Sequence, residues 1–357
     1  MSGFLRELSD SIRAYARTLG FDLVGIAPVL PPAHALFFRQ WLAQGFAGEM
    51  HYLYRTADSR CDPQQVLPGA KSAVVVGLNY TPAVSPVTDD PTRGVFARYA
   101  LGDDYHEVMT RKLRELLTFI RQLVGDCQAK VYVDAGPVLE RELAWRAGLG
   151  WFGKNTMLIN TRLGSYFLIG EVLLDVELEY DHPAFGGCGR CTRCLDACPT
   201  SALVAPYVLD ATRCISYLTI EQRGAIPEDL RARMGNRVFG CDICQEVCPF
   251  NQPRAQAPLR AVPTREPAFQ PREVTLAPRL VDLLQMREEQ FRQAFRHSPV
   301  KRAKWRGLRR SVAVALGNSK QAEVVPLLQR ELQRETDPIV REHLQWAIES
   351  LISNPYR

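Results

Sequence analysis

Two cysteine-rich runs are the part of this sequence whose residue types and spacing most directly imply chemistry. The first, CGRCTRCLDACP (188–199), has the spacing C-x-x-C-x-x-C-x-x-x-C-P, and the second, CDICQEVCP (241–249), is the same pattern without its first cysteine. Such runs hold 4Fe-4S clusters, and the fourth cysteine of a run typically binds the other cluster. Paired zinc sites are the alternative, but zinc motifs seldom place four cysteines together before a proline. The pattern therefore predicts two 4Fe-4S clusters.

Two clusters need eight thiolates, but the runs contain seven because Val238 stands at the missing position. The crossing rule divides the seven into two sets, Cys188, Cys191, Cys194 and Cys248, and Cys198, Cys241 and Cys244. The eighth ligand must be Cys61, Cys127 or Cys214. Cys214 lies between the two runs, so we predict that it completes the second set. We expect the other two to be buried, inert thiols.

Asp134 is the candidate acid or base. It ends the apolar segment KVYVD and precedes Gly136-Pro137 and a predicted helix. A strand's carboxyl edge is a common place for chemistry in α/β proteins, and a carboxylate there can exchange protons. Capping of the helix that is predicted to begin at Pro137 is an equally good interpretation of the pattern.

Three weaker motifs do not support a site. GLGWFGKN (148–155) resembles a phosphate-binding loop, but Asn155 replaces the required hydroxyl and the segment follows a helix instead of a strand. No G-x-G-x-x-G segment follows a strand. His51 and His106 have no partners at metal-ligand spacing, so we expect ordinary helix or loop histidines.

A basic stretch, FRQAFRHSPVKRAKWRGLRR (291–310), has eight arginines and lysines and no acidic residue, with Phe291, Phe295 and Trp305 interleaved. Such a pattern is typical of contacts to phosphates and unstacked bases of RNA. The tRNA-binding residues that we predict from this stretch are Lys301, Arg302, Lys304 and Arg306. A merely solvated helical face is the alternative.

The chain of 357 residues is long enough for more than one core, and its patterns predict an α+β multidomain protein. Alternating strands and helices predict an α/β domain over 1–180, with α+β as the alternative. KSAVVVGLNY (71–80) and KVYVDAG (130–136) are predicted strands, and DYHEVMTRKLRELLTFIRQL (104–123) and PVLERELAWRAG (137–148) are predicted helices. A bacterial-type two-cluster ferredoxin domain follows over 181–252, and a proline-rich linker over 253–290. The apolar spacing of 291–357 resembles an all-α HEAT-like repeat, with an unrelated helical hairpin as the alternative. Its helices are predicted to separate at Gly317-Asn318 and at Asp337-Pro338, where Asp337 can cap and Pro338 can take the first helical position.

Charge and hydropathy narrow the class of protein further. The net charge of +5 is mild, and the N-terminal segment reads as an amphipathic helix without the apolar core of a signal peptide. No apolar run approaches the length of a membrane span. Because most cysteines stand at metal-ligand spacing, we expect a reducing, cytoplasmic location and no disulfide framework.

Taken together, the motifs resemble those of epoxyqueuosine reductases, which complete queuosine synthesis in tRNA. The resemblance covers nearly the whole chain and rests on both cysteine runs and on SRCDP, VFARYALGDDYHEVM, YVDAGPVLERELAWRAGLGWFGKNTMLI, GSYFLIGE and RCISYLTIE. It implies an oxidoreductase with cobalamin in the N-terminal domain beside two 4Fe-4S clusters. The implied substrate is a tRNA whose wobble base carries an epoxide, and the implied product is the alkene of queuosine.

The resemblance also implies site residues, position by position. The positions that correspond to cobalamin contacts are Arg60, Ala97, Asp134, Leu158, Ile169, Ser216 and Asp242. No D-x-H-x-x-G signature is present, which fits a corrinoid without a histidine lower ligand. Gln222 and Arg223 fall in the segment that faces tRNA. Asp134 is the implied proton donor, and we expect burial to raise its pKa.

We further expect an external low-potential electron donor and a monomer that binds no membrane. Two other functions remain alternatives at this point. One is a corrinoid reductase of a small organic halide or epoxide, as in the reductive dehalogenases whose cobalamin domain is similar. The other is a non-catalytic ferredoxin-type electron-transfer protein, which leaves the N-terminal domain unexplained.

Overall fold

A computed structural model of the chain describes residues 2–84, 89–253 and 262–353. The N-terminal unit contains α1 (Ser2–Thr18), β1 (Leu23–Pro28), α2 (Ala35–Ala43), α3 (His51–Arg55), α4 (Ala57–Cys61), β2 (Ser72–Asn79), β3 (Val95–Phe96), α5 (Tyr105–Val124), β4 (Ala129–Tyr132), α6 (Glu140–Arg146), β5 (Trp151–Phe152), β6 (Leu158–Ile159) and β7 (Phe167–Leu174). The cysteine unit contains α7 (Arg193–Ala197), β8 (Leu203–Ala205), β9 (Val208–Leu209), α8 (Ile215–Ile220), α9 (Glu228–Arg231), β10 (Arg237–Phe239) and α10 (Ile243–Glu246). The C-terminal unit contains α11 (Leu280–Gln285), α12 (Glu288–Ala294), α13 (Lys304–Asn318), α14 (Val325–Arg334) and α15 (Pro338–Ser353). Over these described ranges, no helix combines the length and the hydropathy that a membrane crossing requires.

The N-terminal unit is built on a four-stranded sheet with the order β1-β2-β7-β4. Every neighbouring pair in this sheet is antiparallel. The mixture of helices and strands is as predicted, but the α/β assignment of this unit is wrong, because α/β sheets are parallel and this unit is α+β. The argument that placed Asp134 at the carboxyl edge of a parallel sheet therefore does not apply.

Helices cover both faces of this sheet. On one face α1 and α5 bury an apolar cluster with alternate residues of the strands. The helix α5 begins where predicted, because the Asp104 side chain accepts the backbone N–H of His106, and its buried residues recur every three or four positions. On the other face α6 packs over a second cluster. This second face is the one that carries Leu158, Ile169 and Glu171.

The cysteine unit is joined to both of its neighbours. Its α7 and α10, which lie within the two cysteine runs, pack against each other. Strand β10 pairs in parallel with β3 of the N-terminal unit. Val238, at the position where the second run lacks a cysteine, is fully buried in the apolar cluster that β10 shares with α11 and α13. The missing cysteine is thus replaced by a core residue of this joint.

The predicted linker over 253–290 is wrong for its second half. Residues 254–261 lie outside the described residues, but Leu280, Leu283 and Leu284 of α11 are almost completely buried. Ahead of α11, Arg272 donates to the backbone oxygens of Ala294, Arg296 and His297. The prolines do impose an extended path here, but regularly spaced apolar side chains then anchor the segment in the core.

The C-terminal helices end where the sequence predicts. The helix α13 ends at Asn318, and α15 begins at Pro338, where Asp337 Oδ1 accepts the backbone N–H groups of Ile339 and Val340. The helix α13 packs along α15, which in turn packs on α14. The description of these helices as HEAT-like stays a prediction.

Candidate functional site

Four cysteines from both runs surround one cavity. It is lined by Cys188, Cys191, Cys194 and Cys248 together with Lys154, Asn155, Ile159, Arg193, Pro249 and Phe250. Burial raises the pKa of the Cys194 thiol to about 11, and the thiols of Cys188 and Cys248 add to the rise. This first thiol set is the one that the crossing rule predicts, and its four sulfur atoms match the ligand number of a 4Fe-4S cluster.

A second thiol set consists of Cys198, Cys214, Cys241 and Cys244. Burial raises the pKa of Cys214, and the thiol of Cys198 adds to the rise. Burial likewise raises the pKa of Cys241 to about 12 and that of Cys244 well above its usual value, in both cases with a contribution from Cys214. Buried thiols that raise one another's pKa keep their protons at neutral pH unless a bound metal displaces them.

The other two cysteines lie far from both sets. Cys127 belongs to the apolar cluster beneath α5, and Cys61 Sγ contacts the backbone oxygen of Ala35 at 3.8 Å. Among the described residues no group of three or more histidines, cysteines or carboxylates is arranged to hold a single metal ion. The structure thus brings Cys214, and neither alternative, to the incomplete set.

Asp134 lies on the loop after β4 in a left-handed conformation, with φ of 59°. The Tyr105 hydroxyl donates to its Oδ2 at 2.6 Å, and His106 Nε2 lies 3.7 Å from the same oxygen. The helix α6 begins only at Glu140 with Leu139 as its N-cap, so the interpretation of Asp134 as a cap is wrong. The Asp134 side chain projects from the loop and is 62% exposed. The expectation of a buried carboxyl is therefore also wrong for the chain by itself. A carboxyl held in this way can reach a bound reactant.

Two further carboxyls lie beside this loop. Glu171 on β7 is completely buried, and neither of its oxygens has a hydrogen-bond partner among the described residues. Burial raises its pKa well above the usual value, and the nearby charges of Glu140 and Asp134 add to the rise. Burial also raises the pKa of Glu140, to about 8. Burial without a hydrogen-bond partner thus favours the neutral form of Glu171, since an ionised carboxylate without a partner is costly to bury.

The substitution Glu171→Gln tests this assignment. A carboxyl whose pKa is raised on folding contributes stability below its unfolded pKa, and that stability is lost as the pH rises through the folded value. We expect the wild-type melting temperature to fall between pH 6 and pH 9. In Glu171→Gln the fall should be shallower, while the melting temperature at pH 6 stays close to that of the wild type. Glu177→Gln, at an exposed position, is the matched control, and equal slopes in all three proteins would contradict the assignment.

The seven predicted cobalamin contacts fall into groups around one region. Arg60 is buried and donates to the backbone oxygen of Val138 at 2.8 Å, while its charge faces Glu140, Tyr52, Asp134 and Glu171. Leu158 and Ile169 pack together on the α6 face of the sheet. Ile169 is two positions from Glu171 on β7, so both side chains point to the same face.

Of the remaining contacts, Ala97 follows β3, and Ser216 and Asp242 belong to the cysteine unit. The Ala97 N–H donates to the backbone oxygen of Phe239, and Asp242 accepts the backbone N–H of Arg98 at 2.7 Å. Burial raises the pKa of Tyr99 well above the usual value, and the charges of Asp134 and Asp242 add to the rise. Ser216 follows Cys214 at the start of α8. Ala97 and Asp242 therefore lie where the N-terminal and cysteine units meet.

A corrinoid fits these surroundings on one direct observation. A corrin ring carries amide groups around its rim, and these donate and accept hydrogen bonds. The buried Glu171 carboxyl, which has no hydrogen-bond partner among the described residues, is complementary to such groups.

The basic stretch divides into buried and exposed parts. Phe291 and Phe295 are core residues, and the Trp305 Nε1 donates to the backbone oxygen of Met286, so the prediction that these aromatic rings stack on bases is wrong. Arg309 pairs with Glu331 and Glu335, because helix packing supplies the carboxylates that the stretch itself lacks. The residues of the stretch that remain exposed include all four that we predict to bind tRNA, Lys301, Arg302, Lys304 and Arg306.

These exposed residues surround the loop that carries Gln222 and Arg223. Arg223 Nη1 donates to the backbone oxygen of Arg302, and Arg306 donates to the backbone oxygen of Arg223. Arg310, only 1% exposed, donates to the backbone oxygens of Leu218, Gln222 and Gly224. The structure thus joins the two predicted tRNA-facing segments into one surface, which we call the basic surface.

Sequence reasoning missed three residues of this region. Tyr105, which contacts Asp134, has no distinctive spacing. Glu221, which pairs with Arg302, lies outside the basic stretch. Glu171 did have a signal, since it is the one charged residue in the strand FLIGEVLL, and a lone carboxylate in a buried strand is unusual.

Two segments of the chain match known protein families, and nearly the whole chain matches a curated relative. Residues 187–251 match the 4Fe-4S double cluster binding domain, and residues 60–135 match a family model described as epoxyqueuosine reductase QueG. A curated epoxyqueuosine reductase from Pseudomonas aeruginosa is 42% identical over 349 residues, which cover 96% of this chain and 94% of the relative.

Solved structures agree with the match along the whole chain. An epoxyqueuosine reductase from Bacillus subtilis, whose Asp134 catalytic loop is swung out of the active site, is 31% identical with a TM-score of 0.85, covering 97% of this chain and 90% of that one. An epoxyqueuosine reductase with an epoxyqueuosine-modified tRNA-Tyr stem loop is 29% identical with a TM-score of 0.83, covering 97% and 99%.

Proposed function

This chain belongs to the epoxyqueuosine reductase family, and we propose that it reduces the epoxide of epoxyqueuosine at the tRNA wobble position to queuosine, using cobalamin and two 4Fe-4S clusters. One observation carries the proposal: Tyr105, which donates to Asp134, packs against Tyr99 with the ring centroids 5.8 Å apart, and the backbone N–H of Arg98, next to Tyr99 in the chain, donates to Asp242. Asp242 directly follows the cluster ligand Cys241. A proton donor and an electron source therefore border the same region.

Electrons are supplied through the two thiol sets. The first cluster is held by Cys188, Cys191, Cys194 and Cys248, and the second by Cys198, Cys214, Cys241 and Cys244. Clusters of this kind accept and release single electrons at potentials that the protein tunes. The helix α8 assists the second set, because the backbone N–H groups of Ser216 and Tyr217 oppose the rise in the pKa of Cys214 and favour its thiolate.

Cobalamin, when bound, supplies a cobalt centre at which a carbon–oxygen bond can be cleaved reductively. The residues that would hold it are Arg60, Ala97, Asp134, Leu158, Ile169, Ser216 and Asp242. Ala97, Leu158 and Ile169 offer backbone groups and packing surface, while Glu171 offers a neutral carboxyl to its amides.

Asp134 supplies a proton to the epoxide oxygen as the ring opens. The Tyr105 hydroxyl donates to Oδ2, which orients the carboxyl and leaves Oδ1 as the oxygen that carries the transferable proton. The exposed position of the side chain lets it meet a base presented by tRNA, and the bound tRNA would exclude water from it. In total the epoxide takes up two electrons and two protons, and it leaves as the alkene and water.

The basic surface is proposed to bind the phosphates of the tRNA. It consists of Gln222, Arg223, Lys301, Arg302, Lys304 and Arg306. The charge of Asp134 contributes to the raised pKa of Arg302, so this surface borders the region of Asp134. Arg310 positions the loop by its three backbone contacts. The tRNA stem loop bound by the structural relative supports tRNA as the partner.

Neutralising the basic surface should weaken tRNA binding. We expect the substitution of Lys301, Arg302, Lys304 and Arg306 by glutamine to raise the Kd for tRNA about 10- to 100-fold, because phosphate contacts are lost. Each lost contact should also lower the slope of log Kd against log salt concentration by about 0.7 to 0.9. Fluorescence anisotropy at several salt concentrations measures both quantities.

The matched control replaces four exposed basic residues of the N-terminal unit by glutamine, namely Arg6, Arg17, Lys71 and Lys130. The control variant has the same net charge as the test variant. It therefore reduces the general electrostatic attraction to tRNA equally but keeps all of the proposed contacts. If both variants have the same Kd and salt slope, the basic surface is only solvated surface.

The proposed function is tested by anaerobic purification, addition of cobalamin and excess dithionite, and incubation with epoxyqueuosine tRNA. Nucleoside mass spectrometry should show conversion of epoxyqueuosine to queuosine, and only when cobalamin is present. Conversion that does not depend on cobalamin, or no conversion by protein with both clusters and cobalamin bound, would contradict the proposal.

A further inference from the structure

The loop 185–193 brings the first cluster site to the surface of the protein. It carries Cys188 and Cys191, and Phe185 at its start is 100% exposed. Lys154 holds the loop in place: its backbone N–H donates to Cys188 Sγ at 3.4 Å, and its Nζ donates to the backbone oxygens of Gly189 and Cys191 at 2.7 and 3.0 Å. Between the cysteines, Gly189, Arg190 and Thr192 are exposed.

The second cluster site is approached differently. Its loop contains the buried residues Gly240, Asp242 and Gln245, and Asp242 faces the region of Tyr99 and Asp134. One cluster site therefore borders solvent, and the other borders the reaction site. Because this inference concerns how electrons reach that site, it rests on the proposed function.

The surface beside the first cluster site is cationic and partly aromatic. Arg190 and Arg193 are both exposed, and no acidic residue lies between Asp181 and Asp196. Asp181 is engaged by Arg13 and by the backbone N–H of Ile26, and Asp196 accepts from Thr192. Exposed aromatic and arginine side chains are enriched at protein interfaces.

We propose that Phe185, Arg190 and Arg193, called the donor surface below, dock an acidic protein that carries one electron at a time at low potential. Opposite charges steer the two proteins together, and a small interface of this kind allows rapid release after transfer. In each encounter the carrier is oxidised by one electron and the first cluster is reduced by one. Two encounters supply the two electrons that, with two protons, convert the epoxide to the alkene and water.

A tRNA could also be attracted to cationic and aromatic groups. The basic surface, however, lies on α13 and the loop after α8, whereas the donor surface lies on the loop before α7. The donor surface is also next to a cluster site, and a bound tRNA gains nothing from that position. Binding of tRNA to the donor surface is therefore an outcome that the test must distinguish.

The test uses protein with both clusters bound and an acidic flavodoxin, reduced to its hydroquinone, as the probe. Stopped-flow absorption follows cluster reduction without tRNA. At low salt we expect Arg190→Glu to lower the second-order rate constant about 3- to 10-fold and to flatten its salt dependence. The matched control, Arg6→Glu, changes the net charge equally on α1 and should stay within about twofold of the wild type.

Two further measurements make each result decisive. Iron content and turnover with excess dithionite should equal the wild-type values, which shows that the clusters are intact and keeps this test separate from that of the proposed function. The milder variant Arg190→Gln should show about half of the effect on a logarithmic scale, and it serves if the glutamate variant loses iron. The proposal is overturned if the donor-surface variants are slowed no more than the control, or if they weaken tRNA binding instead.

Discussion

The variant Asp134→Asn should retain both clusters, cobalamin and tRNA binding while its turnover falls about 10²- to 10⁴-fold, the usual contribution of a general acid. The epoxide oxygen becomes negatively charged when its bond to carbon breaks, and an amide has no acidic proton to give it. Asparagine has nearly the same shape and can still accept the hydrogen bond of Tyr105. The loss should therefore appear in the chemical step and not in binding. Single-turnover conversion of epoxyqueuosine tRNA, followed by nucleoside mass spectrometry, measures it.

Two companion variants separate proton donation from orientation. Tyr105→Phe removes the hydroxyl that donates to Oδ2 but leaves the carboxyl, so a loss of about tenfold is expected from misorientation alone. Asp126→Asn makes the same chemical change at an exposed position beyond the other end of β4, and it should have no effect. If Asp134→Asn turns over at the wild-type rate, Asp134 is not the proton donor, and His106, which lies next to it, becomes the candidate.

The variant Cys214→Ser should lose the second cluster and all turnover. With one of four ligands replaced, we expect the iron content to fall from about eight to about four per chain. The signal of the second cluster should disappear from electron paramagnetic resonance spectra of the reduced protein. Cys214 is not among the described residues that line the cavity of the first set, so the first cluster should remain. Chemical iron analysis together with these spectra measures the change.

Cys61→Ser is the matched control for this prediction. Cys61 is partly exposed, and its Sγ contacts the backbone oxygen of Ala35 at the start of α2. Its replacement should therefore leave about eight irons and full turnover. Because serine oxygen can itself bind iron, Cys214→Ala is a second version of the test. A full complement of iron in both Cys214 variants would assign the eighth ligand to another residue.

Features that depend on neighbours in the chain were predictable. The helix α5 and the strand β2 lie within about one residue of their predicted positions, because their apolar residues recur at one period throughout. The end of α13 and the start of α15 followed from Gly317-Asn318 and Asp337-Pro338 for the same reason. The predicted helix after Asp134 was too long at its start, since Pro137 does not begin it.

Features that depend on distant partners were not predictable. A basic, aromatic stretch has the same composition whether it faces tRNA or the core, and only packing shows that Arg309 pairs with Glu335 and that Phe295 is buried. In the same way a proline-rich segment reads as a linker until its leucines find a core. The antiparallel order of the sheet depends on pairings between strands that are remote in sequence.

For the reaction site, the sequence by itself determined the thiols, because the short C-x-x-C loops force neighbouring sulfur atoms together whatever the rest of the fold does. Only the tertiary structure decided which residues surround the proposed proton donor. Tyr105 and Asp134 are 29 positions apart, and Arg310 and Leu218 are 92 apart, so no local period records their contact. Such contacts arise when separate elements bury a common core, and this is why the surroundings of Asp134 could not be predicted from the sequence.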